Sequence, residues 1–244
     1  MTVGEALLLG ATQGVTEFLP ISSSGHLLLI RRIFNLSPPS LQSDLFLHLA
    51  TLLVVIIYYR KKILLLLRGR ENSLLFSLLI ATLTTVIVAL PLTLVELPEN
   101  FIFPAFLLTS LILLLPKWVE KPPVLGYPWW QGVVIGAAQG IASLAGLSRL
   151  AFTLVAALSC GMGREEGVEY SFLLSIPTVV GALLFSLWRE GGVAPLPTLV
   201  GGVTAFVVGL LTLPTLIKVV KGGRLWYFST YLVTVGLFGW LLKV

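Results

Sequence analysis

The chain has 244 residues, of which 57% are hydrophobic and 11% charged, with a mean hydropathy of +0.99. Such a composition belongs in a bilayer and leaves no stretch over for a separate soluble domain. The formal net charge of +5 does not point to nucleic acid, because the basic residues stand at the ends of apolar runs, where they act as topology signals.

The first apolar stretch, 1–34, is too broken to be one span. Residues 3–18 read as a helix that stops before Pro20, since proline disfavours helical geometry in the residue ahead of it. The N-terminus carries Glu5 and no basic leader, so it reads as part of the mature protein. Gln13 and Glu17 fall at i and i+4 of the helix and share a face. Ser22, Ser23, Ser24 and Gly25 then open a second apolar run, 26–34, and offer hydroxyls and free amides at a helix N-terminus, a setting for a phosphate or other anion. Capping alone would account for the serines. It does not account for Glu17, the only acid across residues 6–30, because an ionisable group at membrane depth costs about 2.5–3.5 kcal/mol on insertion scales.

Spans of crossing length follow at 44–59, 73–95 and 101–116. The pattern then recurs, with a broken stretch at 127–162, interrupted at 145–149, and spans at 170–188, 195–217 and 225–242. An offset of 126 residues pairs Gly10, Ala11, Gln13, Gly14 and Ser22 with Gly136, Ala137, Gln139, Gly140 and Ser148, and Phe46-Leu47 with Phe172-Leu173. The expected fold is an all-α integral membrane protein, one domain over 1–244. It has two inverted-topology repeats, about 1–121 and 127–244, each a re-entrant helical hairpin plus three transmembrane helices. The hairpin pieces, 6–19, 26–34, 130–144 and 150–162, are shorter than the roughly 20 residues a crossing helix needs. Broken backbone at that depth must be buried in protein or line a wet cavity, so the two turns are expected to meet.

Charge sets the expected sidedness. Eleven of the sixteen Lys and Arg (Arg60, Lys61, Lys62, Arg68, Arg70, Lys117, Lys121, Arg164, Lys218, Lys221 and Arg224) fall on one side of this topology. Arg31, Arg32, Arg189 and Lys243 fall on the other, and Arg149 falls within the membrane. The rich side is cytoplasmic by the positive-inside rule. A multi-pass cell-membrane protein is expected, with both termini outside and the Glu17 hairpin opening outward. Gly10 and Gly14, and Gly132, Gly136 and Gly140, recur every four residues and let helices approach closely. Their expected role is packing of one hairpin on the other, with a homodimer seam as the rival. His48, inside an apolar span, reads as a packed, hydrogen-bonded histidine and Cys160 as a small buried hydrophobe.

Ser148 and Arg149 stand at the second break, where the planar fork of arginine suits a pair of phosphate oxygens. Thr153, one turn further, adds a hydroxyl. A purely structural ion pair between Arg149 and Glu17 is the alternative.

The run Gln13-Gly-Val-Thr-Glu-Phe-Leu-Pro-Ile-Ser-Ser-Ser-Gly-His26 resembles the first signature of the undecaprenyl-diphosphate phosphatases, also called the bacitracin-resistance protein family. Similarity continues through 46–53, 145–149 and 170–177. The second signature is divergent. The family pattern is Pro-Gly-x-Ser-Arg-Ser-Gly-x-Thr, and here Ser148, Arg149 and Thr153 are kept while Ala145, Leu150 and Ala151 replace the proline, the second serine and the second glycine. That removes a hydroxyl and places a methyl where glycine would allow positive φ. Gln13 stands where some members carry glutamate. The resemblance implies hydrolysis of a polyprenyl, undecaprenyl-type, diphosphate to the monophosphate and inorganic phosphate at the outer membrane face, recycling the lipid carrier for glycan synthesis. It casts Ser23 as nucleophile, Glu17 as base or metal ligand, Arg149 as phosphate clamp, and His26 as acid, base or nucleophile. Ser22, Ser24, Ser148, Thr153 and Gln13 would bind substrate. Glu17 and Gln13 are hard oxygen ligands for Mg²⁺ or Ca²⁺ beside that phosphate. The alternative function is a lipid-phosphate flippase or transporter that binds without hydrolysing.

Overall fold

Helix ends in this chain fall where prolines, glycines and serine caps interrupt the apolar runs. The computed structural model describes residues 1–38, 41–92, 94–95, 97–119, 122, 124–190 and 196–242, and among these every regular element is helical. In order they are α1 (Val3–Thr16), α2 (Ser23–Ile33), α3 (Leu41–Tyr58), α4 (Arg60–Leu67), α5 (Asn72–Leu92) and α6 (Ile102–Ile112). They continue as α7 (Pro116–Val119), α8 (Trp129–Ile141), α9 (Arg149–Ser159), α10 (Arg164–Glu190), α11 (Leu196–Lys221) and α12 (Trp226–Leu242). The stretches Asn72–Leu92, Arg164–Leu184 and Leu196–Lys221 are each long and apolar enough to cross a membrane. Large apolar side chains stand on the outside of these helices, among them Leu79, Leu83 and Ile87 on α5 and Val203, Val207 and Leu211 on α11. That surface suits lipid as the surrounding solvent.

Several boundaries differ from the sequence expectation for local reasons. α10 starts six residues early, at Arg164, because the Glu166 carboxylate accepts a hydrogen bond from the Gly163 amide at 3.2 Å and acids in a first turn suit the helix dipole. The expected span 101–116 breaks after Ile112, and Pro116 opens the short α7. Part of the basic connection after α3 is itself helical, as α4. Arg31, counted on the charge-poor side, is buried and ion-paired with Asp44, which ties α2 to α3. Lys121 and Lys243, counted in the charge split, lie outside the described residues.

The glycine stripes do not pack hairpin on hairpin. Gly10 and Gly14 back onto Gly201 and Ala205 of α11, and Gly132, Gly136 and Gly140 back onto Ser77, Ala81 and Thr85 of α5. Small residues on both sides let the backbones approach within side-chain reach, so α1 lies along α11 and α8 along α5. α6 packs on α12, and α9 is cradled by α8 and α10. The main core gathers Phe18, Phe103, Phe106, Tyr170 and Phe172 around these crossings, with the Phe18 and Phe172 rings 5.7 Å apart. Cys160 is buried, as its apolar neighbourhood implied.

A methyl added at Gly136 would collide with the Ala81 carbonyl, whereas one at Gly4 meets nothing within 4 Å. Gly136→Ala is therefore expected to destabilise the chain by about 1–3 kcal/mol through overpacking, with Gly4→Ala unaffected. Thermal unfolding of both variants in detergent checks this, and equal melting would refute the close α5–α8 contact.

Candidate active site

α1 ends as the Glu17 amide closes a last turn on the Gln13 carbonyl at 2.9 Å. The chain then turns to Ser22, which holds φ 71 and ψ 98, a strained setting for any residue other than glycine. From there the Ser22 hydroxyl caps α2, accepting from the Gly25 amide at 3.2 Å. A side chain at position 25 would meet the Phe106 ring. The second break uses the same device. Gly146 takes the positive φ, 89°, and the Ser148 hydroxyl caps α9 by accepting from the Ala151 amide at 3.3 Å. First-turn amides and the positive end of the dipole project from each helix start, and Ser23 of α2 and Arg149 of α9 line one cavity of about 340 Å³.

The two breaks touch. The Gly146 amide donates to Ser24 Oγ at 3.4 Å, and Arg149 Nη2 donates to Glu17 Oε1 in a close ion pair. The other carboxylate oxygen, Oε2, accepts from Ser23 Oγ at 2.6 Å and from Gln13 Nε2 at 3.2 Å. His48 joins from α3, its Nδ1 lying 2.9 Å from Gln13 Nε2 and 3.3 Å from Glu17 Oε2. Glu17 keeps 8% of its side chain exposed and Arg149 24%, so the pair is sheltered but reachable.

Of the residues singled out in the sequence, Glu17, Ser22, Ser23, Ser24, Ser148 and Arg149 line the cavity, with Gln13 buried directly behind Glu17. His26 and Thr153 are not on its wall. The His26 ring is turned toward α12, with Nδ1 2.7 Å from the Ser22 carbonyl and Nε2 2.9 Å from the Tyr231 hydroxyl. Thr153 is fully buried and donates to the Arg149 carbonyl at 2.9 Å. Sequence reasoning missed His48, although a polar side chain inside the run 46–53 was a signal for it. It also missed Ser143, the residue that the 126 offset pairs with Glu17, which lines the cavity as well.

Residues 6–238 match the family described as bacitracin resistance protein BacA. The chain belongs to this family. Similar proteins include the undecaprenyl-diphosphatase of Treponema denticola, 33% identical over 97% of this chain and 96% of the relative. That of Methanococcus maripaludis (strain C5) is 36% identical over 93% and 95%. That of Desulfatibacillum aliphaticivorans is 32% identical over 95% of each.

Within this BacA-family chain the divergent second signature is accommodated without strain. Ala151 lies in the first turn of α9, so its methyl meets no positive-φ demand, and Leu150 gives the cavity an apolar wall. The cation expectation fares differently. Both oxygens of Glu17 are engaged, one by a guanidinium, and Gln13 turns its amide nitrogen toward them while its Oε1 is buried with no hydrogen-bond partner among the described residues. One engaged carboxylate beside an arginine does not fit a resident Mg²⁺ or Ca²⁺, which take six or more oxygen ligands.

Removing Arg149 leaves Glu17 charged and largely desolvated. Arg149→Ala is expected to cost part of the roughly 3–5 kcal/mol lost when a buried pair is broken from one side, reduced by the residual exposure of Arg149. Glu17→Gln combined with Arg149→Leu should recover much of it. Melting of the single and double variants in one detergent checks this, and additive losses would refute a direct pair.

Proposed function

We propose that this chain hydrolyses an undecaprenyl-type diphosphate to the monophosphate and inorganic phosphate. The observation that carries the reading is the 2.6 Å hydrogen bond from Ser23 Oγ to Glu17 Oε2 at a cavity where two helix N-termini and Arg149 converge. A hydroxyl bonded to a carboxylate is an activated nucleophile, and the surrounding positive ends suit a phosphate. The undecaprenyl-diphosphatase names of the relatives agree with this.

In this mechanism the terminal phosphate displaces Glu17 from Arg149 and takes the guanidinium fork for itself. Glu17 is then free to accept the Ser23 proton as Oγ bonds to the terminal phosphorus. The bond to the bridging oxygen breaks, and the lipid monophosphate leaves with that electron pair and with the proton from Glu17, which is a carboxylate again. Water next attacks the phosphoserine, with Glu17 as base, releasing inorganic phosphate and returning the proton to Ser23. Ser22, Ser24, Ser148 and the first-turn amides bear the phosphate charge. The apolar wall of Leu19, Leu45, Leu150 and Val179 faces the first isoprene units. His26 and Thr153 act from outside the cavity, holding the Ser22 turn and the start of α9. Mg²⁺ or Ca²⁺, in this reading, arrives on the diphosphate.

The same proposal includes two inverted repeats with re-entrant hairpins. α2 and α9 have 11 residues each and are related by the 126 offset. α1 and α8, of 14 and 13 residues, are also below spanning length. Each first-hairpin helix packs on a long helix of the opposite half, α1 on α11 and α8 on α5, an exchange of partners that supports two homologous halves in a single domain. The eleven-to-four charge split supports a cavity opening outside the cell membrane.

Purified protein in detergent should release phosphate from undecaprenyl diphosphate, and Ser23→Ala should lower the rate on the order of 10²-fold or more. Glu17→Gln should still bind the lipid while turning over slowly. Lipid counterflow in vesicles without phosphate release would favour a flippase instead. For sidedness, a cysteine at Asn100 should be labelled by an impermeant thiol reagent from outside and one at Ser73 only from the cytoplasmic side. The reverse labelling would overturn the outward-opening cavity.

A further inference from the structure

We infer that His48 is a positioning residue for this site. Through Gln13 it fixes the orientation in which the Glu17 carboxylate meets Ser23. The inference rests on the phosphatase reading above and extends it to a side chain on α3, the one helix of the group that carries neither signature.

Gln13 is fully buried, and its amide nitrogen lies 2.9 Å from His48 Nδ1 and 3.2 Å from Glu17 Oε2; with the His48 proton on Nε2, its two protons meet two acceptors. Its oxygen has no hydrogen-bond partner among the described residues, so the oxygen does nothing to hold the amide. The orientation is set at the nitrogen end. Reversing the amide would press its oxygen against a carboxylate oxygen and an imidazole lone pair, leaving Oε2 without that donor. His48 is itself held in register, since the Thr51 hydroxyl donates to its carbonyl at 3.0 Å. The chain of contacts therefore runs from α3 through His48 to Gln13, from Gln13 to Oε2, and from Oε2 to the Ser23 hydroxyl.

This anchoring matters most when substrate is bound. In the ligand-free chain Arg149 holds Oε1, and the carboxylate is fixed from both ends. Once a phosphate has taken the guanidinium, the contacts left on Glu17 besides the nucleophile are Gln13 Nε2 and His48 Nδ1, 3.2 and 3.3 Å from Oε2. A base that must stay within hydrogen-bond reach of Ser23 then depends on His48 for its aim, and a misplacement of about 1 Å at such a point costs up to about 10²-fold in rate. A space-filling core histidine would show no such dependence, because an apolar residue of similar volume would replace it.

The test compares wild type with His48→Leu and His48→Gln as full-length, detergent-purified proteins, measuring kcat and KM for phosphate release from undecaprenyl diphosphate alongside thermal unfolding. His48→Leu is expected to lower kcat roughly 10- to 100-fold with KM little changed. His48→Gln, whose side-chain oxygen can accept from the Gln13 amide, is expected to recover most of the rate. Adding Gln13→Leu to His48→Leu should cost little more than either change alone, because both act along one path. Wild-type kcat in a folded His48→Leu protein overturns the inference, and so does a folded His48→Gln protein as slow as His48→Leu. If His48→Leu does not fold, His48→Gln decides the matter against wild type. Absence of phosphate release from wild type would instead sink the phosphatase reading, an outcome separable from any behaviour of the variants.

Discussion

A carboxylate and a guanidinium inside a lipid-soluble chain impose the constraint around which this molecule is built. Neither group can stay charged in hydrocarbon without partners, and Glu17 and Arg149 come from breaks that lie more than a hundred residues apart. Their pairing requires both breaks to face each other. The rest follows from keeping irregular backbone out of lipid: each break is closed by a serine cap, each takes a residue with positive φ, and bulky residues of α6 fill the space behind them.

The cavity walls divide by chemistry. Hydroxyls, helix N-termini and the ion pair supply the polar lining, while leucines, a valine and two alanines supply the apolar lining. A substrate with a polyanionic head and a lipid tail is accommodated by that division without leaving either end in the wrong solvent. Glu17 is the pivot, because one of its oxygens accepts from the Ser23 hydroxyl and the other from the Arg149 guanidinium.

Much of this was legible in the sequence because membrane chains punish misplaced polarity. Glu17, Arg149 and the serines stand out against apolar surroundings, and the i, i+4 relation of Gln13 to Glu17 follows from helix geometry alone. The partners of the glycine stripes were legible in principle. Ser77, Ala81 and Thr85 on α5 and Gly201, Ala205 and Gly209 on α11 show the same four-residue spacing, but the stripes do not say which of them pairs with which. His26 could not be placed from sequence, since its rotation toward Tyr231 depends on where α12 packs. His48 reads as a core histidine from its own helix, and the approach of α1 brings Gln13 and Glu17 to its ring.

The seam between α1 and α11 also bears on how the molecule comes to be made. α1 leaves the ribosome well before α11, whose stripe receives Gly10 and Gly14. Until then the helix carrying Glu17 has no surface of matching shape to settle on, and closing so long a loop is the slow kind of contact. α1 must therefore wait for that seat, held meanwhile by α2 and α3, until α11 has been made. A nascent chain stalled before α11 would carry Glu17 at the end of a helix that lacks its main packing partner.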